Sequence, residues 1–275
     1  MIEIPEAFYI SRQITQHLEG KKIAVSHAAV SPHKFAWYEG DPDCYSALIN
    51  GKMIKSAHHV GGMVEMRLND VLIVLSEGAY PCLYESGVKL PEKHQLLLQF
   101  DDGGFLAVSV RMYGGILAFP EKQGSNEYYL LARLKPSPLT DNFDQAYFNE
   151  LISGESVQNL SVKALLATEQ RIPGLGNGVL QDILYFAGIH PKCKVTDLGQ
   201  KQRNNLFTSI KHTIRKMADL GGRDTEPDLF GRPGGYQTRC SRHTVGKPCS
   251  QCGNLIKKAS YMGGSIYFCP ACQPF

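Results

Sequence analysis

The chain has 275 residues, 43% hydrophobic and 20% charged, with a formal net charge of +3. This profile excludes a disordered or fibrous protein, and no apolar run reaches the roughly 20 residues of a membrane span. The charge is uneven: residues 1–140 carry −2, residues 141–200 carry −3, and residues 201–275, with twelve Lys and Arg against four Asp and Glu, carry +8. A basic last quarter suits a polyanionic partner, above all nucleic acid, although a solvated basic surface reads the same way. The opening residues lack a basic stretch leading into an apolar core, so the expected address is the cytoplasm.

The first element reads as a helix. Pro5 suits a first-turn position, Glu6 complements the helix dipole, Ile10, Ile14 and Leu18 recur every four residues, and Gly20 suits the stop. Glu3 falls just before this helix, close to the α-amino group. A neutral amine is a nucleophile that forms Schiff bases, and a neighbouring carboxylic acid can donate and accept a proton. The alternative is that Glu3 and Glu6 serve only the helix dipole.

Residues 22 to about 120 read as β: "MVEMRL" (63–68), "VLIVL" (71–75), "LLLQF" (96–100) and "FLAVSV" (105–110), with turns at Asn69-Asp70 and Asp101-Asp102-Gly103-Gly104. That is the pattern of a β-sandwich or barrel. "KPSPLTDNF" (135–143) reads as a linker. Helical patterns follow in "FDQAYFNELI", "SVKALLATEQ", "GVLQDILYFAG" and "DLGQKQRNNLFTSIKHTIRKMADL", with Ser161 as an N-cap and Gly188 and Gly221 as stops. The expected domains are therefore 1–134, 135–235 and 236–275.

Two motifs carry chemistry. Cys249-x2-Cys252 and Cys269-x2-Cys272 are separated by sixteen residues that read as a β-hairpin, and four thiolates in two close pairs match one structural zinc ion. The tetrapeptide Gly174-Leu175-Gly176-Asn177 runs straight into a helix, where free N–H groups can hold a phosphate; a tight interhelical turn is the simpler reading.

Taken together, the opening Met1-Ile2-Glu3-Ile4-Pro5-Glu6, the Gly174–Asn177 turn, "AGIHP" (187–191), "EKH" (92–94), "KPCSQCG" (247–253) and "YFCPACQ" (267–273) resemble the formamidopyrimidine-DNA glycosylase and endonuclease VIII family along the whole chain. The resemblance implies an α+β clamp: an N-terminal β-sandwich, a helix–two-turn–helix domain and a zinc-finger hairpin gripping damaged double-stranded DNA, as a monomer. The target base is extruded from the stack. The terminal amine, at Ile2 after loss of the initiator methionine, attacks the sugar, with Glu3 as the acid and Glu6 beside it, and elimination then nicks the strand. The resemblance further implies DNA contacts at His94, Arg111, Lys163 and Asn177, and Lys257 and Lys258 in the finger face the backbone. The Gly-rich segment 221–236 lies where the family has a loop over the extruded base; Arg223 is expected at a phosphate and Asp224 or Glu226 at a base edge, unless the segment is a plain surface loop.

The departures fall at the chemistry. Ile2 replaces the family's second-position proline, and a side chain of that bulk opposes removal of Met1. "HHVGGMVEM" (58–66) lacks the family's lysine, and Lys55 is out of register. Met112 and Tyr113 replace the second Arg and the Phe after Arg111, Leu75-Ser76-Glu77-Gly78 matches the wedge segment loosely, and Gly264 stands where the finger carries an Arg. A second reading is thus a catalytically impaired damaged-DNA-binding protein of the same fold.

Overall fold

The computed structural model describes residues 1–275 and is α+β. Helix α1 (Ile4–Leu18) begins as its sequence dictates: Pro5 sits in the first turn, and the Glu6 carboxylate accepts the backbone N–H of Glu3 at 3.1 Å. Strands β1 (Ile23–Ala28), β2 (Ala36–Tyr38), β3 (Ser56–Val60), β4 (Met63–Arg67), β5 (Val71–Tyr84), β6 (Leu96–Phe100) and β7 (Phe105–Pro120) form one sheet, with helix α2 (Tyr45–Ile49) between β2 and β3. The order is β1-β6-β7-β5-β4-β3. The far edge of β7 is shared, β6 pairing with its first part and β2 lying parallel along Gly114–Ile116.

The sandwich is thus one continuous sheet, closed around a main core of 27 buried residues drawn mostly from α1, α2, β1 and β3–β7, with smaller clusters on its outer faces. Expected runs 71–75 and 105–110 are only the first parts of β5 and β7, which continue for 14 and 16 residues through both layers. Continuation depends on a bulge. The pairing skips from Glu77↔Gly114 to Ala79↔Val110, so Arg111, Met112 and Tyr113 have no partner opposite them. Gly78 makes this possible, because a Cβ there would lie 2.0 Å from the Arg111 carbonyl oxygen.

Helix α3 (Glu127–Leu134) precedes the linker. Helices α4 (Gln145–Ser153), α5 (Glu155–Gln158), α6 (Val162–Ala167), α7 (Val179–Ala187) and α8 (Gln200–Asp219) enclose a second core of 25 residues. Ser161 caps α6 through the Ala164 N–H, and Gly188 ends α7 in the left-handed conformation at φ 69°. Hairpin β8 (Lys257–Tyr261) and β9 (Gly264–Phe268) turns at Met262-Gly263, both at positive φ.

Helix α1 joins the two halves. Ile10, Ile14 and Leu18 belong to the sandwich core, whereas Ile4 belongs to the helical core. Backbones also meet directly at the β3–β4 turn: a Cβ on Gly174 would lie 1.8 Å from the Gly62 nitrogen. The stretch that lacks the expected lysine is therefore a backbone-to-backbone contact, where only glycine fits. No helix is long and apolar enough to cross a membrane.

Candidate active site and metal centre

A cleft of about 820 Å³ lies between the two halves. Its walls come from the N-terminal residues, the β5–β7 bulge, the Gly174–Asn177 turn and the tip of the β8–β9 hairpin.

The N-terminal segment is stitched into both walls. The Ile2 N–H donates to the Glu77 carbonyl at 2.7 Å, and the Ile4 N–H donates to the Gly174 carbonyl at 3.0 Å. Ile2 is 3% exposed and sits in the sandwich core. Ile2, expected as the reacting terminus once Met1 is removed, follows Met1 in this structure. Its nitrogen is a backbone amide inside the wall, and the free amine is that of Met1, which borders the cleft and pairs with Glu226 Oε2 at 2.7 Å.

Glu3, expected as the acid, lines the cleft with its carboxylate held by four donors. Its Oε2 accepts the N–H groups of Gly176 and Val179, both at 2.9 Å, and its Oε1 accepts Gly178 N–H at 2.8 Å and Arg223 Nη1 at 3.2 Å. A carboxylate has about four lone-pair sites, and all are engaged. The N–H groups at the start of α7, which could have held a phosphate, are taken by the protein's own carboxylate. Glu6, also expected at the chemistry, is 2% exposed and binds Arg223 through both oxygens, to Nε at 3.0 Å and Nη2 at 2.8 Å.

Arg223 is the centre of this cluster, not a surface phosphate ligand. It is 2% exposed, spans Glu3 and Glu6, and donates to the Met1 carbonyl at 3.0 Å. Burial works against its charge, but the two carboxylates outweigh burial and hold its pKa well above the usual guanidinium range. Segment 221–236 is accordingly a strap pinned on both sides rather than a loose loop. Leu229 lies in the sandwich core with its carbonyl accepting Leu83 N–H, and Gly234 N–H bonds back to the carbonyls of Arg223 and Glu226. Glu226 takes the amine and the Tyr80 hydroxyl rather than a base edge, and Asp224 accepts the Thr238 hydroxyl at 2.9 Å. Burial pushes the Glu226 carboxyl up, but Arg223 and the amine together bring it below the ordinary carboxylate range.

The other expected contacts divide. Lys163 and Asn177 meet at the cleft wall below the hairpin tip. Lys163 Nζ donates to the Tyr261 carbonyl at 2.6 Å, and Asn177 Nδ2 donates to the Ser265 carbonyl at 3.0 Å. An ammonium has three donors, so Lys163 keeps two beyond that bond. Desolvation lowers its pKa. Gly264 lies just above this pair: a Cβ there would be 3.5 Å from Lys163 Nζ. Arg111 is exposed on the bulge, over the Tyr80 ring at 4.8 Å, and Met112 beside it is 72% exposed. Lys257 and Lys258 are exposed on β8. His94 is 7% exposed, with Nδ1 against the Pro91 carbonyl at 3.0 Å, and like Arg111, Lys257 and Lys258 it lies outside the cleft lining.

Two lining residues, Glu77 and Trp37, were not among the expected site residues. Glu77 adopts φ 57°, its Oε2 is buried without a partner, and burial raises its pKa. Trp37 stacks near Tyr113 with ring centroids 6.1 Å apart. Only the strand pairing brings Trp37, on β2, beside the bulge; its being the sole tryptophan was the available hint.

The four cysteines of the last module converge. Their Sγ atoms all lie within 4.8 Å of one another, with Cys249–Cys272 at 3.8 Å and Cys252–Cys269 at 3.3 Å. Two thiolates on a tetrahedral ion with a metal–sulfur distance of about 2.3 Å sit about 3.8 Å apart, so the donor set fits a four-coordinate metal ion closed to substrate. The Tyr185 hydroxyl meets Cys249 Sγ at 3.2 Å, the kind of outer hydrogen bond that orients a ligand.

Known proteins share this architecture. Residues 134–227 match the family model described as the formamidopyrimidine-DNA glycosylase H2TH domain. A formamidopyrimidine-DNA glycosylase from Prochlorococcus marinus is 31% identical over 218 residues, covering 77% of this chain and 70% of the relative. One from Shouchella clausii is 27% identical across 100% of this chain and 99% of its own. A Lactococcus lactis Fpg solved in complex with abasic-site DNA superposes with a TM-score of 0.85 at 23% identity, covering 99% of this chain and 100% of that one. With a relative at this identity and coverage, this chain belongs to the formamidopyrimidine-DNA glycosylase family.

Proposed function

We propose that the chain excises damaged bases from double-stranded DNA and cleaves the resulting abasic strand, with the Met1 amine forming a Schiff base at the sugar C1′. The observation that carries this reading is the free amine of Met1 at the border of the interdomain cleft, in a member of this family. The target nucleotide leaves the duplex stack to reach the amine. Lys163 and Asn177 receive the strand's phosphate under the hairpin tip, and Arg111, Lys257 and Lys258 supply further cations. Met112 and Tyr113, pushed out by the bulge, face the gap in the duplex. Glu3 and Glu6 act indirectly here: with Arg223 they fix the N-terminal segment against the start of α7.

The metal held by Cys249, Cys252, Cys269 and Cys272 is, in this reading, one structural zinc ion that stiffens the hairpin. The chain works as a monomer in the cytoplasm, in three functional units, 1–134, 135–235 and 236–275.

The test is borohydride trapping on duplex DNA bearing an abasic site, with peptide mapping of the adduct and an intact mass of the protein. A covalent adduct on the Met1 peptide is expected. Salt-sensitive DNA binding with no adduct would overturn the catalytic reading and leave a damaged-DNA-binding protein.

A further inference from the structure

The Met1 amine does not stand alone. It donates to Glu226 Oε2 at 2.7 Å, and the Tyr80 hydroxyl donates to the same oxygen. Tyr80 is buried on β5, and Glu226 is on the strap that Leu229 anchors in the sandwich core and Tyr236 in the helical core. The arrangement is a nucleophile, a base within hydrogen-bond reach of its proton, and a third group orienting the base, the geometry expected of an activated nucleophile.

The local charge has the matching sign. Glu3, Glu6 and Glu226 bring three carboxylates against two cations, Arg223 and the amine. The nitrogen thus sits where positive charge is stabilised, and an iminium carries such a charge on that same atom.

We propose that Glu226 is a catalytic proton carrier for the amine, oriented by Tyr80. This rests on the Schiff-base reading above and deepens it. Glu226 takes one proton from the Met1 ammonium, and the freed lone pair forms a bond to the C1′ aldehyde carbon of the ring-opened abasic sugar. The carbonyl π electrons pass to oxygen, and the nitrogen loses a proton as the oxygen gains one, giving a neutral carbinolamine. Glu226 returns its proton to the carbinolamine hydroxyl, the C–O bond breaks, and water leaves. The products are the iminium cation, the Glu226 carboxylate and one water. Net charge and atoms balance against the ammonium, carboxylate and aldehyde that entered, with no outside oxidant or reductant.

The role of Tyr80 is that of a positioning residue. Its hydroxyl holds the Glu226 oxygen at the amine, and its ring lies under the Arg111 guanidinium.

The experiment measures the single-turnover rate of borohydride-trapped adduct on abasic-site duplex DNA, with DNA affinity and thermal midpoint for each variant. Glu226→Gln is nearly isosteric and should slow trapping by about 10²-fold or more, the usual contribution of a positioned proton carrier. Glu226→Asp should lose less. Glu226→Ala should recover part of its rate in added formate, which supplies a carboxylate but no structural support. Tyr80→Phe should slow trapping with DNA affinity unchanged. A Glu226→Gln rate within twofold of the wild type, or no formate rescue of Glu226→Ala in a folded, DNA-binding protein, overturns the assignment alone. No Met1 adduct in the wild-type protein overturns the Schiff-base reading, and the assignment with it.

Discussion

Replacing Arg223 by methionine should be among the most damaging single changes in the molecule. The guanidinium makes four side-chain hydrogen bonds: two to Glu6, at 3.0 and 2.8 Å, one to Glu3 at 3.2 Å and one to the Met1 carbonyl at 3.0 Å. Methionine fills similar volume but leaves two buried carboxylates without their cation. Glu3 keeps three backbone amides, while Glu6 keeps only the N–H groups of Glu3 and Arg223. Most of the cost therefore falls on Glu6 and on the strap. Removing one partner of a buried ion pair costs about 3–5 kcal/mol. At about 2–4 °C per kcal/mol for a chain of this size class, the thermal midpoint should drop by on the order of 10 °C. Arg223 and both carboxylates are buried, so raising salt should change the loss little, unlike a surface pair. Calorimetry gives the midpoint, and a double-mutant cycle with Glu6→Gln gives the coupling, expected above about 1 kcal/mol. A loss below about 1 kcal/mol for Arg223→Met, or strict additivity in the cycle, would refute the view that this cluster holds the halves together.

Two further outcomes follow from other sites. If the four cysteines hold the proposed metal, Cys252→Ala should lower the metal content of the purified protein and weaken DNA binding while the sandwich core stays folded; unchanged metal content would exclude Cys252 as a ligand. Asp182 is fully enclosed, and burial pushes its pKa up to about 6 despite hydrogen bonds from Arg239 N–H, Cys240 N–H and the Tyr236 hydroxyl. Because its folded-state pKa is raised, its contribution is full below about pH 4 and is lost as pH rises through about 6. The wild type should thus gain about 1 kcal/mol relative to Asp182→Asn between pH 7 and pH 5, measured by denaturant unfolding at each pH. A pH-independent difference would show that Asp182 titrates normally.

Short-range patterns were legible in the residues. The C-x-x-C pairs are brought to one point by a short hairpin, and their spacing alone predicted the cysteine cluster. Apolar spacing located α1, α4 and α8 because each buries one face regardless of what covers it, and α7 because its apolar run is buried almost all round. The sandwich strands were legible where apolar runs end at turns, but not where β5 and β7 continue past Gly78, since continuation depends on a bulge between strands. Tertiary structure alone decided the meaning of the charged residues. Glu3 and Gly176 are 173 positions apart, and Arg223 and Glu3 are 220 apart. A helix start read from its own residues is an open anion site. A Gly-rich charged segment read the same way is a surface loop. Each became part of a buried ion cluster because the chain folds an opposite charge or a set of amides against it, and no local pattern encodes a partner that distant. The Met1 amine belongs to the same class: its position beside Glu226 and Tyr80 exists only once the strap and strand β5 are in place.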